Sequence, residues 1–120
     1  MNEKEIEQEV KKYREMGFNV WQMPEIRKGL ENGIDITKYA DPKFDSSQME
    51  QIREGLEKGL DVDKYADLKF SWIQMYEIRE GLELGLDVDK YANPKFEYWQ
   101  MDKIRKGLEK EKQKEPEMEM

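Results

Sequence analysis

The sequence predicts an all-α fold, a short α-solenoid of helix–turn–short-helix repeats with a period of 26 residues. Three observations support this prediction. The pair Gln-Met occurs four times at that spacing, and Ile-Arg and Gly-Leu follow it at fixed distances each time. Apolar residues within a copy lie three, four or seven positions apart, which is the spacing of one helix face. A fixed period of this length is typical of proteins in which each unit buries its apolar face against its neighbours.

The period divides the chain into segments. An N-terminal partial repeat or cap occupies residues 1–18, because residues 10, 12, 13 and 18 match the residues 26 positions later. Three full repeats follow, at 19–44, 45–70 and 71–96, and then a truncated fourth repeat at 97–112. Residues 113–120 are low in sequence complexity, and we expect a disordered tail there.

Each full repeat opens with the signals of a long helix. In the second repeat Asp45 is a good N-cap residue, and Gln48 completes a capping box three positions later. Phe44 before the cap and Met49 after it have the spacing of a hydrophobic staple. Asn19 and Ser71 are the equivalent caps in the first and third repeats.

Two copies depart from this start. Pro24 falls inside the first turn of the first repeat, where its missing N–H suits a helix that begins at the proline instead. Glu97 occupies the cap position of the fourth copy and is a poor cap.

The body and the end of the long helix are also marked. Met49, Ile52 and Leu56 form one apolar stripe, with Gly55 at its edge. A Gly inside a helix costs about 1 kcal/mol relative to Ala, so its presence in all four copies predicts that another backbone approaches there. Gly59 lies at the C′ position and predicts a Schellman-type stop.

A short second helix follows the stop, with Asp61 as its predicted cap. In the fourth copy Glu111 replaces the stop glycine, so we expect that helix to continue as far as Pro116. The residues assigned to the structural repeat, in the numbering of the second copy, are Met49, Ile52, Arg53, Gly55, Leu56, Gly59, Asp61, Tyr65 and Phe70.

The resulting pattern is F-x-x-x-Q-M-x-x-I-R-x-G-L-E-x-G-L-D-V-x-x-Y-A-x-P-x-F, over residues 18–110. It resembles a short helical repeat common in proteins of Gram-positive gut bacteria and of their phages and mobile elements. The first copy departs from the pattern at Pro24 and Thr37, and the last is cut short. Arrays of this kind often occur as accessory segments of unassigned function, so the resemblance implies a fold rather than a chemistry.

Composition excludes several kinds of site. The chain has no Cys and no His, which removes disulfides, Cys/His zinc sites and every catalytic triad that needs imidazole. With 41% charged residues and a mean hydropathy of −1.08, a large spherical core is not expected. The net charge of −7 argues against direct binding to a nucleic-acid backbone. No stretch has the character of a signal peptide or a membrane span, so we expect a cytoplasmic location.

The repeated arginine has two interpretations. A row formed by Arg27, Arg53, Arg79 and Arg105 is a candidate site for phosphate or a nucleotide. In the structural alternative each Arg pairs with an aspartate such as Asp35, Asp61 or Asp87 and covers a Tyr ring. The group recurs with its neighbours in every unit, whereas an active site is usually a single constellation, so packing is favoured.

The acidic pairs Asp61–Asp63 and Asp87–Asp89 are candidates for a cation site. They lack the central Gly and the terminal Glu of an EF-hand loop, and Thr37 replaces the second Asp in the first repeat. Helix capping is therefore the favoured role. The sequence predicts no metal site, no cofactor and no catalytic residue, since no nucleophile–base pair is visible.

Function is expected where the repeat varies. Six candidate partner-binding residues at variable positions are Trp21, Trp72, Tyr76, Leu84, Tyr98 and Trp99. Trp21, Trp99, Tyr76 and Leu84 point away from the apolar stripe, and exposed aromatic residues are typical anchors of protein interfaces. The alternative is that neighbouring repeats or a second chain cover them, and a homo-oligomer is one such arrangement.

The sequence thus favours a non-enzymatic protein–protein interaction module. A sharper hypothesis makes it a phage- or mobile-element-encoded inhibitor of a host nucleic-acid-binding or defence protein. It rests on the small size, the resemblance and the acidic centre, where residues 45–70 hold seven acidic and four basic side chains. The alternative function is binding of a small anionic ligand, a nucleotide or phosphate, by the arginine row.

Overall fold

Helices directly follow the predicted cap positions of the second, third and fourth repeats, whereas a turn separates the first cap position from its helix. The computed structural model describes the backbone of residues 1–118 and the side chains of residues 1–114. The five α-helices in that range are α1 (Glu3–Glu15), α2 (Met23–Glu31), α3 (Ser46–Glu57), α4 (Trp72–Glu83) and α5 (Tyr98–Met118). Three-residue 3₁₀ helices occupy Ile36–Lys38, Val62–Lys64 and Val88–Lys90. No β-strand occurs among the described residues, and the all-α class is confirmed.

Capping boxes start α3 and α4, as predicted. The Asp45 side chain accepts a hydrogen bond from the Gln48 N–H at 2.8 Å, and the Gln48 side chain accepts one from the Asp45 N–H at 2.9 Å. Ser71 and Gln74 make the same reciprocal pair. The position of each helix start is therefore set by residues three positions apart.

The first and fourth copies start differently. α2 begins one residue before Pro24. Asn19 and Gln22 still exchange both hydrogen bonds of the box, each 2.9 Å long, but these close a turn that precedes the helix. In the fourth copy the Gln100 side chain accepts from the Glu97 N–H at 2.8 Å. There the Gln100 N–H donates to the Glu97 backbone carbonyl instead of its side chain, so only half of the box is formed.

Glycines in the left-handed region end the helices. The backbone φ is 68°, 71° and 70° at Gly33, Gly59 and Gly85. After α4 the Gly85 N–H donates to the Leu82 carbonyl at 3.0 Å, and the Leu86 N–H donates to the Gly81 carbonyl at 2.9 Å. This is the Schellman pattern, which confirms the predicted stop at the third-repeat position equivalent to Gly59.

The short second helix is a single 3₁₀ turn. The Asp35 side chain accepts from the Thr37 N–H at 3.1 Å, and the Asp87 side chain accepts from the Asp89 N–H at 3.2 Å. Asp61 occupies the same position ahead of Val62–Lys64, but its side chain makes no capping hydrogen bond, so the predicted side-chain cap is not formed in the second repeat. The hydrogen bond from Thr37 lowers the pKa of Asp35, which keeps this cap ionised.

Each 3₁₀ turn is followed by a fully buried tyrosine, at position 39, 65 or 91. The Tyr39 hydroxyl donates to the Glu25 carbonyl at 2.6 Å, and the Tyr91 hydroxyl donates to the Glu77 carbonyl at 2.7 Å. Burial raises the pKa of both phenols, so both stay protonated and act as donors.

The glycine within the long helix makes room for this tyrosine. A Cβ placed on Gly29 would lie 2.0 Å from the Tyr39 hydroxyl oxygen, and one on Gly81 would lie 2.0 Å from that of Tyr91. We predicted from Gly55 that another backbone approaches. At the two equivalent glycines that prediction is wrong, because a hydroxyl approaches to reach the carbonyl four residues earlier.

The chain divides into two compact units, Met1–Gly59 and Leu60–Met120. In the first unit α2 packs against α1 and α3, and in the second α4 packs against α5. Along the predicted stripe Met49 and Ile52 are fully buried and Leu56 is half-buried. Each unit thus has its own set of buried apolar side chains.

The fourth copy continues as helix through α5 to Met118, past Pro116, where we expected it to end. Residues 119 and 120 lie outside the described residues. Of the predicted disordered tail of residues 113–120, the backbone of 113–118 belongs to α5, and disorder in the rest stays a prediction. No described helix combines the length and apolar character needed to cross a lipid bilayer.

Candidate functional site: an aromatic groove

Four of the six candidate partner-binding residues line one groove in the second unit. Trp72 and Tyr76 lie on the first turns of α4, and Tyr98 and Trp99 form the start of α5. Since the two helices pack side by side, their first turns lie together. We call this depression, which has a volume of about 410 Å³, the aromatic groove. Its other lining residues are Ile73, Glu77 and Asp102.

The rings of the aromatic groove are open to solvent. Trp99 is 58% exposed and Trp72 is 45% exposed, and Tyr76 and Tyr98 are also exposed. The rest of the described chain therefore leaves between 36% and 58% of each of these residues exposed. Cover by a second chain stays a prediction. Large rings with few rotatable bonds bury much area on binding at a low cost in conformational entropy.

Arg105 organises the polar edge of the groove. Its Nη2 donates to Asp102 Oδ1 at 2.8 Å, and its Nε donates to Glu77 Oε2 at 3.1 Å. The Nζ of Lys106 lies 3.0 Å from Asp102 Oδ2. The hydrogen bonds from Lys106 and Arg105 lower the pKa of Asp102, so its carboxylate is ionised at neutral pH and held in place.

Glu77 lies at the buried end of this network. Burial, helped by the nearby charges of Asp102 and Glu80, raises the pKa of Glu77 above its ordinary value, although Arg105 acts to lower it. Burial acts to lower the pKa of Arg105, but its hydrogen bond to Glu77 and the nearby carboxylates raise it further. The ion pair therefore ties α4 to α5 beneath the rings.

The Tyr76 ring is held by a neighbouring arginine. The guanidinium carbon of Arg79 lies 5.5 Å from the centre of the Tyr76 ring, a cation–π contact. Arg79 is buried and also pairs with Glu83. Because Arg79 is held from two directions, it restrains the ring that forms one wall of the groove.

Trp21 and Leu84 lie apart from the groove. Trp21, 71% exposed, belongs to the turn before α2 in the first unit. Leu84 follows α4 and lines a separate depression with Leu86, Glu109, Lys112 and Gln113. An apolar depression of about 360 Å³ in the first unit does not include Trp21, and its lining residues are Val10, Arg14, Phe18, Asn19, Val20, Met23, Pro24 and Arg27.

The arginine row is paired mainly with glutamates, and the predicted partners Asp35, Asp61 and Asp87 do not pair with Arg27, Arg53 or Arg105. Arg53 Nε donates to Glu25 Oε2 at 2.6 Å, and its Nη1 donates to Glu57 at 2.7 Å. Arg27 contacts the α1 carboxylates Glu3 and Glu7, and Arg105 contacts Glu77, Asp102 and Glu109. Asp35 and Asp87 instead cap their own 3₁₀ turns.

This pairing bears on the anion-binding alternative. The hydrogen bonds to Glu25 and Glu57 outweigh burial and raise the pKa of Arg53, which is therefore charged and already neutralised by its neighbours. A phosphate would have to displace carboxylates from such guanidinium groups. No observation on the arginine row favours that exchange, and anion binding stays an untested prediction.

Sequence reasoning missed the glutamates and part of the groove. Glu25–Arg53 and Glu77–Arg105 are each separated by 28 residues, which a search at the 26-residue period does not reveal. The available signal was the position of Glu25 and Glu77, which is a glutamate in the first and third copies only. Asp102 was missed although it occupies the position equivalent to Tyr76.

Within the described residues, no three acidic side chains come together in a way that could hold a metal ion. Comparison with known proteins finds no matching family model, no similar curated protein and no similar solved structure. The resemblance to short helical repeats stays a prediction.

Proposed function

We propose that the chain is a non-enzymatic protein–protein interaction module that binds its partner through the aromatic groove. The observation that carries the proposal is the gathering of Trp72, Tyr76, Tyr98 and Trp99 as exposed rings on two packed helices. Residues of these types dominate the binding energy of many protein interfaces, where they fill desolvated pockets at the centre of the contact.

The groove is preorganised for this role. Its two walls are helix starts, one fixed by the capping box of Ser71 and Gln74 and the other by the half-box of Glu97 and Gln100. The Glu77–Arg105 pair joins the walls. Rings that are already held in place lose little freedom on binding, which favours affinity.

The 26-residue spacing of the starts of α3, α4 and α5 supports the further proposal that the repeats stack as an α-solenoid. Such an array presents the variable position of successive units along one surface. The residues of the groove support this proposal, because Tyr76 and Asp102 occupy one repeat position in consecutive copies, as do Trp72 and Tyr98.

The partner that this surface fits is a basic protein. The chain carries a net charge of −7, and its second and third repeats hold twelve acidic against seven basic side chains. Charge of one sign steers association with a surface of the other. In its sharpest form the proposal is a cytoplasmic inhibitor, encoded by a phage or mobile element, that occupies a host nucleic-acid-binding or defence protein.

A pull-down from host lysate with mass spectrometry tests the proposal, followed by binding of the purified partner. We expect one basic protein to be retained by the wild type and lost by the double variant Trp72→Ala/Trp99→Ala. Leu84→Ala is the matched control, since it removes an exposed apolar side chain outside the groove. The purified complex is then assayed for loss of nucleic-acid binding by the partner. Equal retention by all three proteins would overturn the role of the groove.

A further inference from the structure

One face of α5 is open where the equivalent faces of α2 and α4 are covered. Ile104 is half-buried and Gly107 is exposed. On α4 the equivalent Ile78 is 0% exposed and Gly81 is buried, and α2 matches α4 in both respects. Met101, on the side of α5 that packs in the second unit, is 0% exposed. The open face is thus specific to one side of the last helix.

The structure shows twice what covers such a face. On α4 a Cβ at Gly81 would lie 2.0 Å from the Tyr91 hydroxyl oxygen and 2.8 Å from Val88 Cγ1. On α2 the tyrosine Tyr39 and the β-branched Ile36 take the same places over Gly29. In both cases the hydroxyl donates to the carbonyl four residues before the glycine. The covering element is the 3₁₀ turn with its tyrosine.

On α5 no described residue occupies the corresponding place over Gly107. A Cβ at Gly107 would meet no heavy atom within 4 Å among the described residues. The carbonyl in the accepting position belongs to Lys103. A glycine inside a helix costs about 1 kcal/mol relative to alanine, and the described residues supply no steric reason for one at this position. A tyrosine hydroxyl from outside would supply that reason.

We propose that this face of α5 binds a tyrosine-bearing turn of a different protein chain. The turn has the chemistry of this protein's own 3₁₀ segments, an Asp cap, then a β-branched residue, then a Tyr three positions later. Its hydroxyl donates to the Lys103 carbonyl above Gly107, and its β-branched side chain covers Ile104. This surface is separate from the aromatic groove, so the inference goes beyond the proposed function.

Two observations make the partner a different chain rather than a second copy. The turns of this protein are already committed, since Tyr39, Tyr65 and Tyr91 are all 0% exposed. A second copy would have to unfold part of itself to offer one. Lys103 also occupies the position of Glu25 and Glu77, which pair with an arginine of the next helix. An arginine placed in the same way by a second copy would meet the positive charge of Lys103. A partner with a carboxylate there fits better.

The direct test uses the turn itself as a peptide. The probe is the segment Gly85–Phe96 of this chain, added to the full-length protein during two-dimensional NMR. We expect the amide signals of Gly107 and Ile104 to shift progressively and to approach saturation near 1 mM, about the affinity of a short flexible ligand that must be ordered on binding. A peptide with Tyr91→Phe lacks the hydroxyl and is expected to bind roughly fivefold more weakly.

Two protein variants complete the experiment. Gly107→Ala fills the slot and is expected to abolish the shifts, while helix propensity keeps this variant folded. Trp72→Ala/Trp99→Ala is expected to bind the peptide normally, which separates this surface from the aromatic groove. Unchanged α5 signals, equal binding by Gly107→Ala, or shifts confined to the groove would overturn the proposal. Dimerisation of the protein alone that Gly107→Ala abolishes would overturn the assignment to a different chain.

Discussion

Glu25 and Arg53 lie 28 residues apart in sequence and form a buried ion pair, with Arg53 Nε 2.6 Å from Glu25 Oε2. The pair joins α2 to α3 in the first unit. Glu77 and Arg105 repeat it between α4 and α5 in the second unit, at 3.1 Å. Both pairs are largely removed from water, so each charge depends on the other.

Breaking this pair from one side is expected to be costly. Glu25→Leu leaves the Arg53 guanidinium buried with Glu57 as its remaining ion-pair partner, and we expect a loss of about 3 kcal/mol of unfolding free energy. Urea denaturation measures it. The double variant Glu25→Leu/Arg53→Met should regain most of the loss, because no buried charge is left unpaired. A single variant as stable as the wild type would contradict the role of the pair.

The two helix glycines Gly81 and Gly107 are expected to respond in opposite directions to alanine. Gly81→Ala drives a Cβ into the Tyr91 hydroxyl and should destabilise the protein by roughly 2 kcal/mol. Gly107→Ala meets nothing among the described residues and should stabilise α5 by about 1 kcal/mol. Thermal melts of the two variants make the comparison. Adding Tyr91→Phe to Gly81→Ala should recover part of the loss, and equal effects at both sites would refute the account of the slot.

The capping boxes predict a matched pair of changes. Asp45→Ala removes the acceptor for the Gln48 N–H and should cost about 1 kcal/mol. Glu97→Ser supplies the missing half of the fourth box and should add about 0.5 kcal/mol. Both values come from chemical denaturation. A neutral result for Asp45→Ala would mean that packing alone sets the start of α3.

Glu57 is expected to contribute to the acid sensitivity of the fold. Burial acts to raise its pKa, but hydrogen bonds from Arg53 and Asn32 outweigh burial and lower it below 4.5. The Glu57 carboxyl therefore binds fewer protons in the folded state than in the unfolded state. Its contribution to the free energy of unfolding is complete above the unfolded pKa and is lost as the pH falls through the folded pKa. As the pH decreases from about 6 to about 3, the free energy of unfolding of Glu57→Gln should fall by less than that of the wild type. Parallel stability curves for the two proteins would argue against the shift.

The features that the sequence predicted well are local ones. Asp45 and Gln48 lie three residues apart, and Gly85 acts on the helix that it directly follows, so composition and spacing were sufficient. The Glu25–Arg53 pair and the Tyr39 hydroxyl over Gly29 depend on how separate elements align. A repeat period gives equivalent positions within copies, but it does not say which positions of different elements meet.

The candidate site shows the same division. The helical period indicated that Trp99 and Tyr76 point away from the apolar stripe, and both are exposed. Their gathering with Trp72 and Tyr98 follows from the packing of α4 on α5, which the period alone does not specify. Trp21 and Leu84 also occupy variable positions that point away from the apolar stripe. They lie outside the groove because the period does not specify which of these positions helix packing brings together.

Because the hydroxyls of Tyr39 and Tyr91 are buried and donate hydrogen bonds, their ultraviolet absorbance reports on unfolding at high pH. Burial raises the pKa of both phenols above the ordinary value of 10.0 in the folded protein. In the unfolded chain this effect is lost. Rising alkalinity therefore favours the unfolded chain, which releases these protons first. In the near ultraviolet the absorbance of Tyr39 and Tyr91 should therefore change abruptly, at the pH where the protein unfolds.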